Sequence, residues 1–133
     1  MMISTKGRYA LRVMCDLAKH PRGEYVALRD IAEREDISEK YLESIVSVLS
    51  KAGLLEGLRG KGGGYRLSRS PEEYKLGEIL RTADGSLAPV SCLESYPNKC
   101  EKASTCATLP VWENLNKLIN DYLDGITLSE IIQ

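Results

Sequence analysis

The fold of this 133-residue chain is decided by residues 38–67, SEKYLESIVSVLSKAGLLEGLRGKGGGYRL. Ser38 is a candidate N-cap, and the apolar residues that follow it recur at helical spacing as far as Ala52. Gly53 then stands where a helix commonly ends. The first half of the stretch therefore predicts a capped helix.

A glycine-rich β-hairpin is predicted for the second half. Leu54–Arg59 and Gly64–Leu67 are short strand candidates on either side of the GKGG segment at 60–63. A nucleotide-binding loop is excluded, because the run lacks the Gly-Lys-Ser/Thr ending of a phosphate loop and does not match GxGxxG before a helix. A flexible hairpin without a binding role is the alternative interpretation.

Helical periodicity also precedes this stretch, at residues 5–19 and about 27–34, with a Pro- and Gly-containing break at 20–23. Helix, short helix, capped helix and hairpin is the order of a winged helix-turn-helix, whose third helix enters the major groove of DNA. We therefore expect a mainly α fold with a small β wing and a long C-terminal dimerisation helix.

Three parts are expected along the chain. Residues 1–80 form a winged helix-turn-helix DNA-binding domain, 81–108 a linker and cysteine-bearing loop, and 109–133 the dimerisation helix with a short closing helix. Residues 38–69 carry six cations and three acids, a net charge of +3, whereas residues 70–133 carry five and ten, a net charge of −5. The positive part is the one expected to face DNA phosphates.

Polar side chains at the start of the third predicted helix are candidate DNA contacts, because hydroxyls and backbone N–H groups at a helix N-terminus bind phosphate. Lys40 suits phosphate or guanine, and the Glu43 carboxylate can accept from the N4 amine of cytosine. A solvated helix face is the alternative interpretation. The candidates in this helix are Ser38, Glu39, Lys40, Tyr41, Glu43 and Ser44.

The predicted wing sets glycines beside cations and one aromatic side chain. Glycines permit positive φ and a close backbone approach, while Arg59, Lys61 and Arg66 can neutralise phosphates. The candidate DNA contacts here are Arg59, Lys61, Gly62, Gly63 and Tyr65.

An amphipathic helix is predicted from Leu109 to Asp124, with Pro110 in its first turn. At 1.5 Å per residue it is about 24 Å long, enough to cross a two-fold partner. The alternative is that its apolar stripe packs on its own domain. A dimer would present two recognition helices to a pseudo-palindromic double-stranded operator. The interface candidates are Trp112, Leu115, Leu118, Ile119 and Tyr122.

Three cysteines, Cys92, Cys100 and Cys106, lie within fifteen residues of a predicted loop. In a cytosolic protein such a group more often binds metal or responds to redox state than forms a structural disulfide. Zinc and a disulfide switch are both open, although the spacing contains no CxxC pair. A fourth cysteine, Cys15, lies in the first predicted helix and is interpreted as a small buried hydrophobic side chain.

Motifs along nearly the whole chain are those of a known family: STKGRYA at 4–10, ISxxYLE at 37–43, RGxGGGY at 59–65, the three loop cysteines, Trp112, and GITL at 125–128. The chain resembles the winged-helix transcription regulators that include the iron–sulfur regulator IscR, the nitric-oxide sensor NsrR and the cysteine-metabolism regulator CymR. The resemblance implies a homodimeric bacterial regulator of DNA. IscR and NsrR relatives modulate DNA binding through a cluster, and CymR relatives work without one.

The resemblance also implies that Cys92, Cys100 and Cys106 hold a two-iron or four-iron cluster. It leaves the fourth ligand unassigned. The family's histidine ligand is replaced here by Leu109, and the family's acidic ligand from the first helix is replaced by Arg8. The candidates for this ligand are Thr108, Cys15, a carboxylate of the partner subunit and a small external molecule.

The expected function is a cytoplasmic transcription regulator whose operator binding responds to an iron–sulfur cluster, and therefore to iron–sulfur status, redox state or nitric oxide. The alternative is a cluster-free regulator of the same fold, controlled by cysteine oxidation or by a partner protein. An enzyme is not expected, because the loop has no CxxC pair or Cys/His arrangement and no acid–base group is evident. No run approaches the roughly 18 apolar residues of a membrane span.

Overall fold

A computed structural model describes residues 3–94, 97–98 and 100–132. Two short strands, β1 (Leu55–Leu58) and β2 (Gly64–Leu67), pair antiparallel, and single 3-10 turns lie at Pro71–Glu73 and Ser91–Leu93. The expected mainly α fold with a small β wing is confirmed. The helices are α1 (Thr5–Ala18), α2 (Leu28–Glu35), α3 (Glu39–Lys51), α4 (Leu76–Asp84), α5 (Leu109–Asp124) and α6 (Leu128–Ile131).

Helix α3 begins where the sequence predicts. The Ser38 hydroxyl oxygen accepts a hydrogen bond from the backbone N–H of Tyr41 at 3.1 Å, which satisfies one of the free donors of the first turn. The apolar face of α3 is buried in the core. Its fully buried side chains are Leu42, Ile45, Val46 and Leu49.

One hydrophobic core joins α1, α2, α3, α4, α6 and the hairpin. Helix α1 lies at its centre and contacts each of these elements. A core of this kind fixes the orientation of α3 relative to the wing, because close-packed side chains leave little room for sliding. The largest fully buried members are Met14, Ile31, Leu42, Ile45, Leu49, Leu54, Tyr74, Ile79 and Leu128.

The hairpin is held against the body by a third short pairing. Val26, between α1 and α2, exchanges two backbone hydrogen bonds with Tyr65, at 2.8 and 2.9 Å. The β1–β2 register pairs Leu55 with Leu67 and Leu58 with Gly64, so β1 is shorter than the strand Leu54–Arg59 that the sequence predicts. This third pairing therefore fixes β2 to the body close to the turn that joins the two strands.

Tyr74 joins the hairpin to the helical body. Its side chain is completely buried, and its hydroxyl donates to the Leu54 carbonyl at 2.7 Å. The same oxygen accepts from the backbone N–H groups of Ser68 and Arg69, both at 3.0 Å. The hydrogen-bonding capacity of this buried phenol is thus used fully, as burial of a polar group requires.

Helix α4 was not predicted from the sequence. It has nine residues, contains Gly77, and runs past residue 80, where the DNA-binding domain was expected to end. A tertiary contact explains the glycine at position 77, because a Cβ there would overlap a carboxylate oxygen of Asp124 in α5. The expected division into 1–80, 81–108 and 109–133 stays a prediction, and its ends at residues 1, 2 and 133 lie outside the described residues.

Helix α5 is present as expected, but its attachment to the body is polar. Arg81 in α4 donates to the Asn120 side-chain oxygen at 2.8 Å and to the Asp124 carboxylate at 2.6 Å. None of the side chains in this 16-residue helix is fully buried within the chain. Within the described part of the chain, no helix has the length and apolar character needed to cross a membrane.

An ion pair between a buried carboxylate and an exposed guanidinium connects α1 to α2. The Asp16 carboxylate is 6% exposed and accepts two hydrogen bonds from the Arg34 guanidinium, at 2.9 and 2.8 Å. Burial opposes ionisation of this carboxyl, but the hydrogen bonds from Arg34, the charge of Arg34 and smaller contributions from neighbouring groups together outweigh it and hold the pKa of Asp16 below its usual range. His20 lies 3.5 Å from the same carboxylate.

The Asp16→Asn variant should be less stable than the wild type by about 1–3 kcal/mol at pH 7, because the charge-assisted bonds to Arg34 are lost. The pKa of Asp16 is lower in the folded state than its unfolded value of about 3.9. The stabilisation is therefore fully present above about pH 4 and is lost as the pH falls through the folded-state pKa. Urea unfolding at pH 7 and at pH 3 or below measures the free energy of unfolding of both proteins.

The matched control is Glu33→Gln, which neutralises an exposed carboxylate of α2 that forms no ion pair in the described part of the chain. It should change the free energy of unfolding little at either pH. If the free energies of unfolding of wild type and Asp16→Asn differed equally at both pH values, the stabilising role of the ionised Asp16 carboxylate would be contradicted.

Candidate nucleic-acid interface and cysteine loop

The start of α3 presents polar side chains to solvent. The exposed side chains are those of Ser38, Glu39, Lys40, Glu43 and Ser44. The Ser44 hydroxyl donates to the Tyr41 carbonyl at 2.7 Å, so its lone pairs are left to accept from an outside group. The structure brings the candidate residues of the third helix onto one exposed surface, and their role in DNA binding stays a prediction.

Tyr41 is half-buried and is positioned by an aromatic contact that the sequence analysis missed. Its ring lies edge-to-face with that of Tyr9 in α1, with centroids 5.9 Å apart. The Arg12 guanidinium covers the Tyr9 ring at 4.9 Å and also donates to the Glu35 carbonyl at 2.8 Å. The only sequence signal for this contact is the spacing of aromatic residues on two separate helices, which does not identify a partner.

The tip of the wing is a tight turn over residues 60–63. The Gly63 N–H donates to the Gly60 carbonyl at 3.0 Å, and Gly62 at the third position has φ of 78°. A left-handed residue at that position of a turn requires glycine or asparagine. Lys61, at the second position, is exposed to solvent.

Two glycines of the wing allow backbones to approach closely. A Cβ at Gly63 would overlap the Leu58 carbonyl oxygen, and one at Gly64 would overlap the Val26 carbonyl oxygen. Tyr65 is half-buried, and its ring packs where Gly57 has no side chain. Gly63 and Tyr65 were predicted as DNA contacts, and the structure gives each a packing role in the hairpin as well.

The three cations of the wing are not equivalent. Arg66 donates to the Glu56 carboxylate at 2.9 Å and to the Gly23 carbonyl at 2.9 Å, and stacks over the Tyr25 ring at 4.3 Å. Arg59 and Lys61 are exposed and have no carboxylate within 4 Å among the described residues. The latter two are therefore the wing cations that are free for an outside anion.

The cysteine loop begins at a fixed point. The Asp84 carboxylate, at the end of α4, accepts hydrogen bonds from the backbone N–H of Ser4, at 2.9 Å, and from the Ser4 hydroxyl. A Cβ at Gly7 would overlap this carboxylate. A negative charge at the amino end of α1 is favoured by the helix dipole. Just beyond, Leu87 and Ala88 are buried, so the root of the loop is attached to the body.

The three loop cysteines are accessible. Cys92 and Cys106 are half-buried, Cys100 is exposed, and all are free thiols, as is the half-buried Cys15 of α1. Within the described residues no three Cys, His, Asp or Glu side chains are gathered in a metal-binding arrangement. By donor type, the three thiols fit an iron–sulfur cluster, because thiolates are the usual ligands of such clusters.

Cys106 differs chemically from Cys15. The Cys106 sulfur lies 3.3 Å from the Thr108 hydroxyl, just before α5. Hydrogen bonding from the Thr108 side chain, with support from the backbone N–H groups of Thr108 and Leu109, lowers the pKa of the Cys106 thiol. Burial instead raises the pKa of Cys15. At neutral pH the loop thiol is therefore the better metal ligand and nucleophile of the two.

Four large apolar side chains are exposed along α5: Val111 (57%), Leu115 (37%), Leu118 (67%) and Tyr122 (68%). Their spacing of four, three and four residues places them on one face of the helix. Trp112 and Ile119, two other members of the predicted dimer interface, are half-buried within the chain. The two sets thus lie at different depths on the same helix.

Comparisons with known proteins agree with this arrangement. Residues 3–133 match the family model Rrf2, described as iron-dependent transcriptional regulator. The chain is 40% identical over 132 residues to the HTH-type transcriptional regulator IscR of Aliivibrio salmonicida, which covers 99% of this chain and 77% of that protein.

Two solved structures are similar over 99% of the chain. CymR (YrzC), the global cysteine regulator of B. subtilis, has a TM-score of 0.79, 38% identity and 96% coverage of that chain. T. potens IscR has a TM-score of 0.77, 39% identity and 86% coverage of that chain. With its capped third helix, its glycine-rich wing and these relatives, the chain belongs to the Rrf2 family of winged-helix, DNA-binding transcription regulators.

Proposed function

We propose that this regulator is a homodimer whose affinity for a pseudo-palindromic DNA operator is modulated by an iron–sulfur cluster bound to Cys92, Cys100 and Cys106. The observation that carries the proposal is the position of the cysteine loop. It connects α4, which is hydrogen-bonded to α1 through Asp84 and Ser4, to α5, which exposes an apolar stripe. A change in the loop is thus transmitted to both the DNA-binding body and the dimer helix.

Dimerisation is supported by the two faces of α5. One face is attached to α4 through Arg81, Asn120 and Asp124. The apolar side chains stand on exposed positions, where burial of each would contribute about 1.5–3 kcal/mol. An exposed apolar stripe of this length marks an interaction site. A second copy of α5 would cover it and would place two α3 helices on one side of the dimer for successive half-sites.

DNA binding by the proposed surface combines two kinds of contact. Lys40, Arg59 and Lys61 neutralise phosphates and supply a salt-dependent, sequence-independent affinity. Glu43 and Ser44 in α3 face the base edges, where a carboxylate accepts from cytosine N4 and a hydroxyl suits either base of a pair. The remaining candidates Ser38, Glu39, Tyr41, Gly62, Gly63 and Tyr65 position the helix and the wing on the duplex.

Cys92, Cys100 and Cys106 would hold the cluster, with a fourth ligand supplied by Thr108, Cys15, a partner carboxylate or a small molecule. When bound, a cluster supplies redox and nitric-oxide-reactive iron at the surface of the protein. The lowered pKa of Cys106 favours the thiolate that such a ligand requires. Ordering of the loop would then bias the placement of α4 and α5, with a coupling free energy of about 1–3 kcal/mol.

A cluster-free regulator is the second candidate, and two observations favour it. The structure of CymR is among the most similar, and no three metal-binding side chains are gathered within the described residues. In this case oxidation of Cys106 or binding of a partner protein would replace the cluster as the signal. Binding of zinc to the same thiols is a third outcome, and measurement of the metal content distinguishes it from the other two.

Anaerobic reconstitution with ferrous iron and sulfide should give a coloured protein with stoichiometric iron and sulfide. Cys100→Ala should lose the colour, and the matched control Ser104→Ala should keep it, because Ser104 is an exposed residue of the same loop and has no thiol. Affinity for a duplex selected from a random pool should differ between loaded and metal-free protein by roughly 5–150-fold. A colourless protein whose DNA affinity follows thiol oxidation would instead support the cluster-free regulator.

Replacing Leu118 with Glu should convert the dimer to monomers, because each dimer loses two buried leucines and gains two buried charges. The dissociation constant of the dimer should rise by about two orders of magnitude or more. Sedimentation equilibrium measures it. The control Lys117→Glu adds the same acid outside the stripe and should leave a dimer; equal effects of both variants would contradict the interface.

Replacing Thr108 with Val should slow alkylation of Cys106 at pH 7, because loss of the hydroxyl raises the pKa of the thiol toward its usual value and reduces the thiolate fraction. Mass spectrometry of the metal-free, reduced protein gives the rate at each pH. Thr105→Val is the control, since the Thr105 hydroxyl hydrogen-bonds the Lys102 carbonyl rather than Cys106. Unchanged alkylation in Thr108→Val would show that the hydroxyl does not stabilise the thiolate.

A further inference from the structure

A surface groove of about 290 Å³ separates the second half of α3 from the wing. The predicted DNA contacts lie in the first half of α3 and in the wing, so most of the residues of this groove have no assigned role. It is lined by Ser47, Ser50 and Lys51 from α3 and by Gly57, Leu58, Arg59 and Tyr65 from the hairpin.

The groove is positively charged. Lys51 at the end of α3 and Arg59 at the end of β1 are both exposed, and neither has a carboxylate within 4 Å among the described residues. Other cations close to the hairpin are paired instead, Arg66 with Glu56 and Arg69 with Glu78. Two free cations on opposite walls therefore leave the groove without a counter-ion from its own chain.

Ser50 adds a polar group without a partner. Its hydroxyl oxygen is buried and forms no hydrogen bond with any described residue. A buried hydroxyl that lacks a partner costs free energy, so such groups in folded proteins usually bind water or a ligand. Ser50 is one of the residues that line the groove, in the same helix as Lys51.

Leu58 gives the groove an apolar edge. Its side chain is 49% exposed, although it belongs to a strand of the hairpin. The preceding residue in the strand, Gly57, has no side chain and is covered by the Tyr65 ring. The groove thus combines two cations and a free hydroxyl with one exposed aliphatic side chain.

The groove also continues the face of α3 that was assigned to DNA. Lys40, Ser44, Ser47 and Lys51 are spaced four, three and four residues apart, which places them along one side of the helix. A ligand that lies along the start of α3 would therefore reach the groove at its end. A ligand for this surface carries anions next to apolar groups, repeated along a line. The sugar–phosphate backbone of DNA has this pattern.

We propose that this groove binds one backbone phosphate of the operator, with Lys51 and Arg59 on either side of the phosphate and Leu58 against the adjoining deoxyribose. The proposal rests on the DNA-binding function and adds Ser47, Ser50, Lys51 and Leu58 to the surface. It makes the junction of helix and wing a phosphate clamp, which fixes the register of α3 in the groove of the duplex without reading sequence itself.

The experiment measures affinity for a duplex selected from a random pool by the wild-type protein, over a range of salt concentrations. Lys51→Gln should reduce the slope of log K against log salt by about 0.9, the value for one lost phosphate contact. Leu58→Ser should weaken binding several-fold at every salt concentration and leave the slope unchanged. The control Lys75→Gln removes an exposed lysine at the start of α4, which does not line the groove, and should leave the slope unchanged.

A second measurement locates the contact. Single methylphosphonate substitutions remove the charge of one phosphate at a time, and one position should weaken binding of the wild type but not of Lys51→Gln. Urea unfolding checks the fold of each variant. The free energy of unfolding should change little, because Lys51 and Leu58 are exposed.

The outcomes separate this proposal from the proposed function. If the wild type binds a selected duplex and Lys51→Gln has the same slope as Lys75→Gln, the clamp is wrong while the DNA-binding function stands. The same holds if every methylphosphonate affects wild type and Lys51→Gln equally. If the wild type retains no duplex at any salt concentration, both the function and the clamp are overturned.

Discussion

The Asp84 carboxylate at the amino end of α1 is the contact on which the arrangement of the other parts depends. It binds the N-cap residue Ser4 and occupies the space that a side chain at Gly7 would take. One turn earlier in α4, Arg81 binds α5. The last turn of a single short helix therefore holds both the central helix of the core and the exposed apolar helix, and the cysteine loop begins directly after it.

Charge pairing separates the cations of this chain by role. Arg34, Arg66, Arg69 and Arg81 bind carboxylates of their own chain and join elements of the fold. Two other cations of the wing, Arg59 and Lys61, are by contrast exposed, as are Lys40 and Lys51 of α3, and none of the four has an acidic partner among the described residues. A net charge of −1 thus conceals a local surface that is free to bind phosphate.

Sequence patterns located α3 and the wing well, because their signals are local. A serine N-cap, apolar residues at helical spacing and a glycine-rich turn each act within a few residues of chain. Helix α4 was missed because it is short and contains Gly77, whose reason is the Asp124 side chain forty-seven residues away. The Tyr9–Tyr41 contact and the groove at Lys51 were missed for the same cause, since each joins separate elements.

The sequence by itself determined the fold class, the family motifs, the exposed start of α3, the cationic wing and the three loop cysteines, all of which are properties of neighbouring residues. Tertiary structure alone decided which cations remain free, which glycines are required by a close approach, and where the cysteine loop is attached to the body. The physical reason is that ion pairs, steric overlap and burial are set by distances in space between residues far apart along the chain, which periodicity and spacing do not encode.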